Sequence, residues 1–187
     1  MAMPLRAHCR AVVALPSRGP AMDFSRQTNR KLYEEHAATI DLMARVERMF
    51  QGRAGAFPPP AGDANWPAFA RAVLGALEVE VARHFEFEER DLFPRLEDAG
   101  AADLVALLLE EHEAIRGVAK PLAERLRASL AGASQPADWQ AMKTLGLELA
   151  DRLAAHAQME DGALLPALED VLDEQTDQEL LLAYAAQ

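Results

Sequence analysis

The feature that most constrains this chain is an eleven-residue pattern that occurs twice. The first copy is His84-Phe-Glu-Phe-Glu88-Glu89-Arg-Asp-Leu92-Phe93-Pro94, and the second is His156-Ala-Gln-Met-Glu160-Asp161-Gly-Ala-Leu164-Leu165-Pro166. Each reads His-x-x-x-Glu, a second acid, and then Leu-apolar-Pro. On an α-helix, side chains four residues apart stand one above the other, roughly 6 Å apart. An imidazole and a carboxylate so placed can reach one metal ion, and two such helices facing each other can hold a pair.

The remaining sequence reads as a scaffold for that pair. A first helix is expected from Ser25 or Thr28 to Gln51, with Leu32, His36, Thr39 or Ile40, Met43, Val46 and Phe50 on one face. Tyr33, one turn before His36, is either a partner of the site or a rim aromatic. A linker rich in Gly and Pro spans 52–65, where Asn65 can cap the next helix and Pro67 sits in its first turn. The second helix carries Phe69, Val73, Leu77, Glu80, His84 and Glu88 down its apolar stripe, and Pro94 is expected to end or kink it. The third, about 101–132, aligns Leu104, Leu108, His112, Ile115, Ala119, Leu122, Leu126 and Leu130, with a kink expected at Pro121. The fourth, capped by Ser134 or Asp138, aligns Trp139, Met142, Leu145 or Gly146, Leu149, Leu153, His156 and Glu160. A short last helix is expected over 173–187, with Thr176 and Glu179 as a capping box. With no β alternation anywhere, the expected fold is all-α: an up-down-up-down four-helix bundle with a short extra C-terminal helix.

Four of the five histidines (36, 84, 112 and 156) therefore fall one per long helix, each on the face that should be core. A lone histidine on an apolar face is usually a hydrogen-bonded core residue. Four matched positions with two carboxylates at a shared offset are not explained that way, because burying several unpaired acids is too costly without a cation. Four imidazoles and two bridging carboxylates suit two first-row metal ions. Candidate ligands are thus His36, His84, Glu88, His112, His156 and Glu160, with Glu80, one turn before His84, as an additional one.

Composition narrows the setting. The net charge of −11 over 187 residues argues against nucleic acid or an anionic membrane as partner. One cysteine, Cys9, excludes an intramolecular disulfide and a multi-thiolate site, and a reducing cytoplasm is the simplest compartment. Residues 1–22 read as an N-terminal extension preceding a domain over 23–187. Its apolar run, Ala11 to Leu15, is too short for the core of a secretory signal.

These residues resemble a hemerythrin-like protein of the HHE cation-binding kind. The resemblance rests on His36, His84-x-x-x-Glu88, His112 and His156-x-x-x-Glu160 with the acid and Leu-apolar-Pro context after each Glu, and covers about 25–170. It implies a non-haem di-iron centre, bridged by Glu88, Glu160 and an oxo or hydroxo group, with zinc or manganese as substitutes. His36 and His84 would serve one iron, His112 and His156 the other. Oxygen-carrying hemerythrins have a fifth histidine one turn after the third, and here that position is Arg116, a poor ligand. The resemblance then implies a protein that binds or senses oxygen, nitric oxide or iron and redox state. The alternative is a di-iron enzyme consuming peroxide or nitric oxide, or an iron donor in iron–sulfur cluster repair. Against the repair role, its usual N-terminal Cys-containing domain is matched here only by the short tail with Cys9. A purely structural zinc site ranks last. A separate protein partner would have to receive any signal, and Leu180-Leu-Leu182 either docks on the bundle or pairs in a homodimer.

Overall fold

The computed structural model describes residues 23–52, 63–132 and 136–186 of the chain, without the side chains of Glu80 and Pro136. The expectations for the N-terminal extension, Cys9 and the Ser134 cap lie outside the described residues. The described residues form five helices: α1 (Gln27–Gln51), α2 (65–98), α3 (Ala102–Leu130), α4 (136–171) and α5 (Glu174–Ala185).

Neighbouring long helices are antiparallel, as paired contacts along them show. On α1 and α4, Asn29 meets Leu165 and Glu169, His36 meets Glu160, and Phe50 meets Gly146. On α2 and α3, Arg116 meets Glu89 and Arg127 meets Glu78. This is the expected four-helix bundle, with α5 folded back against α1 through buried Asp177, Leu180 and Tyr184. Leu182, by contrast, points outward and is 71% exposed.

Most stripe positions are buried, with Thr39 and not Ile40 facing inward on α1, while Phe69, Leu104 and Leu130 are half-buried. The stripes form two apolar layers. One contains Met43, Phe50, Trp66, Trp139 and Leu149, and the other contains Phe24, Leu32, Phe87, Leu96 and Leu165. The polar His and Glu residues lie between them. In the first layer Phe50 is wedged against Phe69 and Trp139, at ring distances of 6.2 and 5.4 Å. A Cβ on Gly146 would come within 2.5 Å of that ring. Gly146→Ala should therefore lose about 1–2 kcal/mol in denaturant unfolding, because overpacking outweighs the better helix propensity of alanine.

Three expectations about helix ends are corrected. Of the two outcomes expected at Pro94, an end or a kink, the end does not occur: the helix runs on to Asp98, and its counterpart continues through Pro166 to Val171 as expected. Proline lacks an N–H, and its ring collides with the carbonyl four residues back in a regular α-helix. The chain meets this by opening a π turn just before each proline, over Glu88–Leu92 and Glu160–Leu164. The Phe93 and Leu165 N–H groups then donate to the carbonyls of Glu88 and Glu160, five residues back. Both π turns begin at the glutamates of the repeated pattern, and a third π stretch, Leu77–His84, leads up to the first.

The second correction is at α5, where Asp173 is the N-cap and accepts from the Thr176 N–H at 2.7 Å. The proposed capping box thus begins one turn too late. Third, Asn65 does not cap α2. It is the first helical residue, and its N–H donates to Asp63 at 2.8 Å. The start of α1 is capped from far away: Asp177 accepts from the N–H groups of Gln27 and Thr28 at 2.7 and 2.8 Å, and Glu169 from those of Ser25 and Arg26. Carboxylates at a helix N-terminus satisfy orphan donors and oppose the helix dipole, so this capping ties the start of α1 to α4 and α5.

Candidate metal centre

Each long helix brings one histidine to the layer between the two apolar cores. His36 comes from α1, His84 from α2, His112 from α3 and His156 from α4, and all four are buried. Glu88 and Glu160, one turn after His84 and His156, reach the same layer and are 0% and 1% exposed. Two four-residue clusters result: His36, His84, Glu88 and Glu160 in one, and Glu88, His112, His156 and Glu160 in the other. Within each, the potential ligand atoms lie within 4.8 Å of one another.

The two glutamates belong to both clusters, one oxygen to each. Glu88 Oε1 is 3.2 Å from His84 Nε2, while its Oε2 is 3.4 Å from His112 Nε2. Glu160 Oε2 is 3.2 Å from His36 Nε2, while its Oε1 is 3.0 Å from His156 Nε2. That is the placement of two carboxylates spanning a pair of cations. The side chains also show the electrostatic demand for them. Both Glu88 oxygens, Glu160 Oε1 and the Nε2 atoms of His112 and His156 are buried without a hydrogen-bond partner. Orphaned acceptors of this kind are costly in an apolar core, and cations bound between them would compensate every one.

The other face of each imidazole is fixed by a carboxylate from a neighbouring helix. Asp161 holds His36 Nδ1 at 2.7 Å, Glu35 holds His84 Nδ1 at 3.1 Å, Glu89 holds His112 Nδ1 at 2.7 Å, and Glu111 holds His156 Nδ1 at 2.8 Å. Such a partner fixes the ring and its tautomer, so that Nδ1–H is donated outward and the Nε2 lone pair faces the centre. Glu89 and Asp161 are the second acids of the repeated pattern, for which the sequence had suggested no role. Glu35 and Glu111 went unremarked, although their signal is plain: each immediately precedes a candidate histidine, in Glu35-His36 and Glu111-His112.

Ionisation follows this geometry. Burial alone would raise Glu35, but hydrogen bonds from His84, Tyr184 and Lys31 outweigh it and bring its pKa down to about 2. Burial alone would lower His112, yet Glu160, Glu88 and Glu89 push it up to about 9. His156 is raised in the same way, burial being outweighed by Glu160 and Glu111. Glu88 and Glu160 are lowered despite full burial, by the histidines around them.

Arg116, where a fifth histidine would stand, is turned away from the clusters. Its guanidinium pairs with Glu89 at 2.8 Å and Glu113 at 2.8 Å, and lies 5.5 Å from the Phe85 ring centre. Phe85 in turn stacks on His112, with ring centres 3.7 Å apart. Tyr33 packs edge-on against Phe24 at 5.9 Å, as a rim aromatic does. The side chain of Glu80 lies outside the described residues. No helix among the described residues is long and apolar enough to cross a membrane.

Comparison with curated proteins finds no significant match. The pattern of the hemerythrin HHE cation-binding domain matches residues 27–168, which takes in all six clustered residues and all four carboxylates behind the histidines. Two His/Glu clusters suited to a binuclear metal site, built on four helices of matching sequence pattern, place the chain in one group: it belongs to the hemerythrin HHE cation-binding family.

Proposed function

We propose that the protein holds two iron ions through His36, His84, His112, His156 and the bridging Glu88 and Glu160, and uses them to bind and report a small ligand such as oxygen or nitric oxide. The observation that carries this reading is the division of each glutamate between the clusters, one oxygen apiece. A bound iron pair supplies redox chemistry and affinity for small ligands. The chain supplies neutral imidazoles aimed inward, two anionic bridges and a layer closed above and below by apolar side chains.

The ligand set favours binding of an external molecule over a closed structural site. Each cluster offers two histidines and a share of two carboxylates, and the position of a fifth histidine holds Arg116, which is engaged with Glu89 and Glu113. That count leaves room on an iron, which prefers more than four ligands. Glu80 remains the additional ligand proposed from the sequence. A groove of about 900 Å³ between α2 and α3, lined in part by Glu89, Arg116, Val81 and Ala119, brings solvent up to the carboxylate that holds His112. Small ligands would approach from that side. The absence of any cysteine beyond Cys9 agrees with a cytoplasmic setting.

The test is metal content and absorption of protein purified without oxygen and then exposed to air. Two irons per chain are expected, with near-ultraviolet charge-transfer bands that appear on oxidation and change on adding nitric oxide. Sustained consumption of peroxide or nitric oxide by the same sample would make the protein an enzyme instead of a sensor. A colourless protein that takes up zinc but no iron would overturn both.

A further inference from the structure

The two metal positions are built from matching parts but are not supported alike. A pseudo-twofold relation exchanges α1 with α3 and α2 with α4. It carries His36 and its Asp161 onto His112 and Glu89, and His84 with its Glu35 onto His156 with Glu111. The match fails in two places: Arg116 pairs with the half-buried Glu89 behind His112 with no counterpart at Asp161 among the described residues, and the larger difference, two partners on a more buried carboxylate, lies behind His84. There Glu35 accepts a hydrogen bond from the Tyr184 hydroxyl at 2.5 Å and pairs with Lys31 at 3.0 Å, and it is 12% exposed. Glu111, its counterpart, is 36% exposed and is held by no hydroxyl or cation among the described residues.

Tyr184 comes from α5, beyond the stretch that matches the family. It is buried, its ring packs on Phe87 with centres 4.4 Å apart, and the Arg83 guanidinium lies 4.5 Å from its ring centre. Its hydroxyl donates to Glu35 Oε2, the same oxygen that meets His84 Nδ1, while Lys31 holds Oε1. A carboxylate held at both oxygens rotates less freely, so His84 donates to a more fixed point and its Nε2 is held toward the cluster. Glu111, partly in solvent, gives His156 a looser anchor.

We propose that Tyr184 is a positioning residue for the metal centre: acting through Glu35 it fixes His84 and makes the His36/His84 position the slower of the two to release its metal. The inference rests on the two-metal reading above. It gives the C-terminal helix a role that the bundle alone does not require, since undocking α5 would loosen one metal position and not the other. Losing the carboxylate behind a metal-bound histidine typically costs about 10–100-fold in affinity. Tyr184 acts one hydrogen bond further out, so the expected effect is that of a single such bond, about 2- to 10-fold.

The test uses the full chain loaded anaerobically with two equivalents of Fe²⁺, with release followed by a chromophoric ferrous chelator. The wild-type protein should release iron in two phases of equal amplitude. Tyr184→Phe keeps the ring and its packing on Phe87 but removes the hydroxyl. It should quicken the slow phase about 2- to 10-fold and leave the fast phase unchanged. Glu111→Gln should do the reverse. Circular dichroism of each variant establishes that the bundle is intact, and Glu35→Gln should reproduce the selective effect of Tyr184→Phe at larger size. Release in a single phase, or Tyr184→Phe kinetics identical to wild type, would overturn the proposal while leaving the two-metal reading in place. A wild-type protein that takes up no pair of iron ions fails the earlier reading and this one with it.

Discussion

Glu160→Ala is expected to abolish tight binding of both metals, not one. Glu160 presents one oxygen to the His36/His84 cluster and the other to the His112/His156 cluster, so its removal strips a ligand from each position at once. Carboxylates that merely orient a ligand are worth about 10–100-fold in metal affinity, and a direct bridge should exceed that at both positions. His84→Ala, by comparison, removes a ligand from one cluster only and should leave a chain that still takes up one equivalent. The checks are metal-to-protein ratio after dialysis and the metal-dependent rise in unfolding free energy. For wild-type protein, metal at a hundredfold excess over its dissociation constant adds about 2.7 kcal/mol per site. For Glu160→Ala the rise should be near zero. A variant that kept two metals per chain would show that Glu160 bridges nothing.

Chelating the metal should lower stability sharply and reverse its dependence on pH. Without cations, His112 and His156 compensate Glu88 and Glu160 by taking up protons. His112 is raised from its ordinary 6.5 to about 9 and His156 is raised as well, so their contribution is fully present below pH 6.5 and is lost as pH rises through about 9. Glu88 and Glu160 are lowered from 4.5, so theirs is present above pH 4.5 and fades as pH falls. The chelated protein should therefore be most stable between pH 4.5 and 6.5 and lose stability steadily toward pH 9. Metal loading demands the opposite protonation: neutral imidazoles and ionised carboxylates, with protons released on binding. The loaded protein should gain stability over chelated protein as pH rises from 6.5 to 9. Thermal unfolding at matched pH, with and without chelator, reads the crossing of the two profiles. Parallel profiles would mean that these histidines are not where metal competes with protons.

How much of this was legible in advance can be judged residue by residue. His36, His84, Glu88, His112, His156 and Glu160 stood out because helical periodicity puts each on an apolar stripe, where an ionisable group is out of place. The four carboxylates behind the histidines did not stand out as a set. Each hydrogen bond crosses from one helix to another, and lateral register between helices is not written in either helix's own spacing. Pro94 was read as an end or a kink from local sterics alone, whereas the folded bundle holds α2 and α4 together on both sides of Pro94 and Pro166, and the backbone widens into a π turn rather than break.

The sequence by itself determined the helix count, the faces that turn inward and the six residues that meet in the centre, because side-chain direction on a helix follows from its 3.6-residue period. It also placed Arg116 where the resemblance to oxygen-carrying hemerythrins would call for a fifth histidine. Only the tertiary structure decided which oxygen of each glutamate serves which cluster, that Arg116 spends its charge on Glu89 and Glu113, and that α1 is capped by Glu169 and Asp177 from the far end of the chain. The same holds for Tyr184, whose hydroxyl meets Glu35 across 149 residues of chain. Contacts of that kind depend on how α5 and α1 dock, a geometry set by the packing of all five helices and carried by no local stretch of residues.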